Sequence, residues 1–149
     1  MNKELLIKQW SPYASLLDTE QVASLLALPL RCAGEDPRAI VPSIALAPDG
    51  PKLQAIILFL ESLICELRID PNAQMFDFVR LDSVRNYKVW KGRQVITRAD
   101  AQTVSYDLMV IQLWHEFAPS NVTVMQYVGM NLDEWLTQVL AAFPVKQIR

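Results

Sequence analysis

The stretch Leu53-Gln-Ala-Ile-Ile-Leu-Phe-Leu-Glu-Ser-Leu-Ile-Cys-Glu-Leu-Arg-Ile69 decides the fold of this 149-residue chain, because it admits two readings. Leu53, Ile56, Ile57, Leu60, Leu63, Ile64 and Leu67 follow the i, i+3, i+4, i+7 spacing of an amphipathic helix. Asp49 and Pro51 supply start signals and Asp70-Pro71 a stop. The rival reading is two strands, since Leu63, Cys65, Leu67 and Ile69 alternate with Ser62, Glu66 and Arg68. A hairpin would have to turn at Glu61-Ser62, where there is no Gly, Pro, Asn or Asp. The spacing therefore favours a single helix.

Downstream of Pro71-Asn72 the composition shifts to strand formers. Met75–Leu81 reads as a strand. Val84–Trp90 and Gln94–Thr97 flank Lys91-Gly92 as a tight hairpin would. Val104–Trp114 and Val122–Val128 read as strands about a turn at Pro119-Ser120-Asn121; Tyr106, Met109, Val110, Leu113, Trp114 and Phe117 also carry helical spacing. The chain closes on a helix in which Asn131 and Glu134 form a capping box. Leu132, Trp135, Leu136, Val139, Leu140 and Phe143 line one face, and Pro144 stops it.

Upstream, residues 2–10 read as a short helix ending at Ser11-Pro12. A second is capped by Asp18 with Gln21, stapled by Leu17 and Val22, and expected to stop at Pro29. Residues 29–51 hold five of the nine prolines, which leaves room for a short extended piece near Ile40–Ala47 in a connection or lid. The expected organisation is one domain: a helical part over 1–28, the Pro-rich connection over 29–51 and an α+β core over 52–149. Its class is α+β, with N-terminal helices, a mostly antiparallel sheet or partial barrel, and a C-terminal helix packed on it. With 53–69 as two strands instead, the order of strands before one capping helix resembles a pleckstrin-homology-like barrel in topology. No motif carries that likeness, and fold alone does not set function.

The chain is 52% apolar and 20% charged, enough to bury a sizeable core and leave apolar surface for a partner, of which a second copy is the simplest. No apolar run reaches the roughly 18–20 residues that span a bilayer. Glu4 and Lys8 interrupt what would have to be a leader's apolar region. The expected location is cytoplasmic, away from membranes, with Cys32 and Cys65 as reduced thiols buried like small apolar side chains.

Charge is distributed unevenly. From Arg80 to Arg98 six basic residues face one acid, Asp82, so a local excess of five sits in a chain whose net charge is −2, and the remainder carries −7. On the hairpin reading Trp90 pairs with Arg93 and Lys88 with Val95 on one face, with Lys91 at the tip and Arg85 near the open end. An aromatic plane among cations suits phosphate, nucleic-acid bases or an acidic protein surface. The plainer alternative is a solvated hairpin in which Arg93 stacks on Trp90. Arg85, Lys88, Trp90, Lys91 and Arg93 are thus the candidate binding residues, with Trp10 the second tryptophan able to mark a surface.

Signals for chemistry are weak. His115 is the sole histidine, and a strand would point its neighbour Glu116 to the opposite face. There is no G-x-S-x-G element, no zinc-ligand spacing and no Gly-rich phosphate loop. The sequence thus points to a non-catalytic binding or regulatory protein with no cofactor and no metal. A protein partner is expected, and a homodimer is a candidate assembly. The rivals are a nucleic-acid-binding regulator using the same basic hairpin, and an enzyme whose carboxylates converge only in three dimensions.

Overall fold

The computed structural model describes residues 3–116 and 122–143, Val122 by its backbone alone. The turn expected at Pro119-Ser120-Asn121 and the stop expected at Pro144 lie outside the described residues. The chain passes through α1 (Lys3–Trp10), a 3-10 turn (Ser11–Tyr13), α2 (Thr19–Ala33), β1 (Ala39–Ala47), β2 (Gly50–Phe59), β3 (Leu63–Arg68) and β4 (Met75–Arg80). A second 3-10 turn (Leu81–Ser83) leads to β5 (Val84–Thr97), β6 (Thr103–His115), β7 (Val122–Val128) and α3 (Leu132–Ala142). All pairing is antiparallel, in one sheet ordered β1-β2-β3-β4 and another ordered β5-β6-β7. This is the expected α+β arrangement, with helices first, antiparallel sheets next and a packing helix last. The described residues do not close a barrel.

Residues 53–69 are two strands, not one helix. Ile56, Ile57, Leu58, Phe59 and Leu60 are all fully buried in succession. Both faces of this sheet are covered: Phe59 meets Phe143 beyond α3 at 6.2 Å between ring centroids, and α2 lies on β3. A strand buried on both faces loses its period-2 alternation, and its apolar run then imitates helical spacing. The turn does fall at Glu61-Ser62, where the Leu60 N–H donates to the Leu63 carbonyl at 2.8 Å. Its missing turn residue is replaced from a distance. The Glu35 carboxylate accepts the Ser62 N–H at 3.0 Å and also the Ser62 hydroxyl. These bonds hold the Glu35 carboxyl below its ordinary value. Asp49 and Pro51, read as helix-start signals, belong instead to the hairpin joining β1 to β2, with Pro48-Asp49 as its loop and Gly50 at φ +121°.

The N-terminal helices follow their signals with one correction. Asp18 and Gln21 form the expected capping box. Pro29, however, does not stop α2, which continues to Ala33 and ends at Gly34 in the left-handed region. A helical proline leaves the carbonyl four residues back without its donor. Here that carbonyl, of Leu25, accepts the Gln74 side-chain amide at 2.7 Å. In α3, Asn131 occupies the cap position but its side chain makes no capping bond, so the expected capping box is not formed.

The region read as a Pro-rich connection supplies β1, whose outer edge is closed by side chains. Gln9 accepts the Ile40 N–H at 2.6 Å and donates to the Arg38 carbonyl at 3.0 Å. Gln138 donates to the Ile40 carbonyl at 3.1 Å, and the Trp135 indole to the Pro42 carbonyl at 3.0 Å. Further along, the Gln126 N–H of β7 donates to the Ser43 hydroxyl at 3.4 Å, where β7 runs beside β1. Trp10, Tyr13, Tyr127 and Trp135 form a continuous aromatic run behind this seam. Trp10 is 0% exposed, so α1 docks on its own chain and Trp10 is not a surface marker.

Candidate interaction site

β5 is a single strand of 14 residues, and Lys91-Gly92 is not a turn. Its partner throughout is β6, with Lys88 opposite Gln112, Trp90 opposite Val110, Lys91 opposite Met109 and Arg93 opposite Asp107. The glycine that suggested a hairpin answers to a different need. A Cβ at position 92 would lie 3.1 Å from Cζ3 of Trp90, so the missing side chain lets the indole lie along its own strand.

A continuous strand redistributes the candidate residues. Alternate side chains share a face, so Lys88 and Trp90 stand together with Gly92, while Lys91 and Arg93 stand on the opposite face with Tyr87 and Val89. The single Lys88/Trp90/Arg93 face expected from a hairpin is therefore not assembled. Tyr87 meets Phe143 at 5.9 Å between ring centroids, which identifies its face as the one toward the C-terminal end of α3. Lys88 and Trp90 occupy the other.

Several of the cations already have anionic partners. Arg85 pairs with Glu116, Arg93 with Asp107 at 3.3 Å, and Arg80 with Asp82 at 2.7 Å. Arg98 donates to the Tyr106 hydroxyl at 3.4 Å. Lys88 and Lys91 form no ion pair among the described residues. The charge excess read from the sequence thus narrows to Lys88 and Lys91, on opposite faces of one strand, and Arg98 just past its end.

Apolar exposure gathers on the same strand. Trp90 is 40% exposed, Tyr87 and Val89 37% each, and Val95 60%. The hairpin reading placed Val95 opposite Lys88; in the structure it lies on the face of Tyr87 and Val89 instead. Their signal in the sequence is a run from Val84 to Thr97 that contains four cations and no acid. Beyond its ladder with β6, no backbone group of residues 85–97 has a hydrogen-bond partner among the described residues.

The remaining chemical candidates are not brought together. His115 is 7% exposed at the end of β6, where its Nε2 lies 2.8 Å from the Thr123 hydroxyl, and burial holds its pKa below the ordinary 6.5. Glu116 turns to Arg85 instead. Cys65 is buried, with its thiol pushed up to about 12, mainly by desolvation, while Cys32 is exposed, contrary to its expected burial. No set of three or more metal-ligating side chains occurs among the described residues. An open cleft of about 540 Å³ lies between β5, β6 and the start of α3, lined by Lys91, Asp107, Asp133 and Glu134. All four of these side chains are exposed.

No protein-family model matches the chain, and neither a curated protein nor a solved structure does. Among the described residues no helix is long and apolar enough to cross a membrane.

Proposed function

We propose that the chain is a small cytoplasmic, non-catalytic binding protein that engages a protein partner through β5. The observation carrying this reading is the coincidence, on one strand, of Lys88 and Lys91, which form no ion pair among the described residues, with exposed Tyr87, Val89, Trp90 and Val95. Exposed aromatic side chains are the composition of interface anchors, and lysines beside them steer an acidic partner. A nucleic-acid ligand has less support. A protruding two-stranded ribbon is replaced by a strand laid against β6, and Asp107 and Glu116 already neutralise Arg93 and Arg85. A homodimer built on Trp10 loses its anchor, since that side chain is fully buried. For an enzyme, the acids of the cleft are exposed, whereas carboxylates tuned for acid–base work are desolvated or paired with like charge.

Affinity capture with the intact chain, run beside Lys88→Glu/Lys91→Glu, tests the proposal. A protein retained by the parent and lost from the variant is expected. Equal retention by both would remove β5 from consideration. Anisotropy against labelled duplex DNA and single-stranded RNA at about 50 and 200 mM salt supplies the contrasting outcome, because phosphate binding weakens steeply over that range. Submicromolar, salt-steep binding there would replace the protein-partner reading.

A further inference from the structure

We infer that β5 takes its partner by strand addition, accepting an extended acidic segment along its free edge; this rests on the binding-protein reading above. A sheet edge offers alternate N–H and C=O groups as a template, and chains that do not use their edges blunt or cover them. This chain covers its others or keeps them short. The edge of β1 is occupied by Gln9, Gln138 and Trp135, and β7 lies beside it, its Gln126 N–H donating to the Ser43 hydroxyl. The remaining edge strand, β4, has only 6 residues. Among the described residues the 14-residue β5 alone combines length, open backbone groups and exposed apolar side chains.

Charge selects the occupant. β5 carries Arg85, Lys88, Lys91 and Arg93 and no acid, so a second copy laid along it would align two wholly basic strands, and like charges across a ladder repel. An acidic strand is complementary. Lys88 and Lys91 are three positions apart and point to opposite faces, with Val89 and Trp90 between them. Residues directly opposite share a face, so the segment that fits has an acid, two apolar residues and an acid in succession. Asp107, Asp133 and Glu134 line the cleft next to Lys91, which disfavours further acids in the segment beyond that point.

The test uses fluorescence anisotropy of the intact chain with a labelled peptide carrying a Glu-Val-Ile-Glu core. Parallel probes replace both acids by lysine, or carry N-methyl groups on one or the other alternate set of amides. Binding is expected to the acidic peptide. It should fall ~10-fold or more with the lysine peptide and with Lys88→Glu/Lys91→Glu, as for removal of close charge pairs. One N-methylated set should lose binding and the other retain it, since only alternate amides face the edge. Equal binding of both methylated sets, or of the lysine peptide, overturns strand addition. So does failure of every peptide. If affinity capture still yields a protein sensitive to Lys88→Glu/Lys91→Glu while no peptide binds, strand addition fails and the binding-protein reading stands. If neither experiment responds, both fail.

Discussion

At the scale of single residues, Gly92 and His115 do work that their sequence contexts disguise. The Trp90 ring lies against position 92, where a Cβ would come within 3.1 Å of it and the ring would have to give way. Gly92→Val should lift the indole off the strand. Trp10 and Trp135 are fully buried and Trp114 is half-buried, so Trp90 is the most exposed of the four tryptophans. Iodide quenching of tryptophan fluorescence should therefore increase in Gly92→Val and fall in Trp90→Phe; no change in the glycine variant would mean that the ring does not depend on that space. His115 supplies a pH dependence. Burial holds its folded pKa below the ordinary 6.5, so the unfolded chain binds the proton more readily. The stability it contributes is complete above about 6.5 and is lost as pH falls through the lower, folded value. Glu35, also lowered, adds a loss of the same sign, but below its ordinary 4.5. Urea unfolding at pH values on either side of 6.5 should show a smaller acid loss in His115→Gln than in the parent; parallel curves would assign the slope to other groups.

At the scale of elements, strands whose burial alternates were legible, whereas the enclosed hairpin over 53–69 was not. Met75–Arg80 and Val122–Val128 emerge with nearly the expected bounds, and the apolar stripe of α3 is the one its spacing predicts. The 53–69 stretch fails because Ile56–Leu60 is buried without alternation, and because its turn is completed by Glu35, 27 residues before Ser62. No local pattern encodes a partner at that separation. Pro29 is the same case, its cost offset by Gln74 from outside the helix. The candidate site was legible in composition but not in geometry. The charge run marked β5, while Lys91-Gly92 mimicked a turn and so placed Lys88 and Arg93 on one face. Two variants follow. Glu35→Ala leaves the Ser62 amide without its acceptor and should cost on the order of 1 kcal/mol, a modest loss because the turn is open to water. Trp10→Ala empties a fully buried site that α1 shares with Tyr13, and should cost about 3–5 kcal/mol. Chemical denaturation measures both. A near-neutral Trp10→Ala would mean that α1 is dispensable to the core.

At the scale of the whole molecule, the seam where the two sheets meet and the outer strand β5 are finished in opposite ways. The β1–β7 seam is sealed by Gln9 of α1, which accepts the Ile40 N–H, and by Gln138 and Trp135 of α3, which donate to β1 carbonyls, whereas no such partner meets β5 among the described residues and it carries cations. Lysines on a sheet edge oppose pairing between copies, since each added strand would bring its own cations alongside. Lys88 and Lys91 are the two that have no anionic partner among the described residues, so they contribute most of that repulsion. Arg85 and Arg93 are already compensated by Glu116 and Asp107. Removing the lysine charges while keeping strand propensity, as in Lys88→Thr/Lys91→Thr, should expose Tyr87, Val89, Trp90 and Val95 on an uncharged edge. Sedimentation velocity across a concentration series should then show self-association beyond that of the parent chain, and added salt should move the parent toward the variant by screening the same repulsion. If the variant sediments as the parent does at every concentration, the β5 edge is not an open template, and the cations there answer to a partner bound by side chains alone.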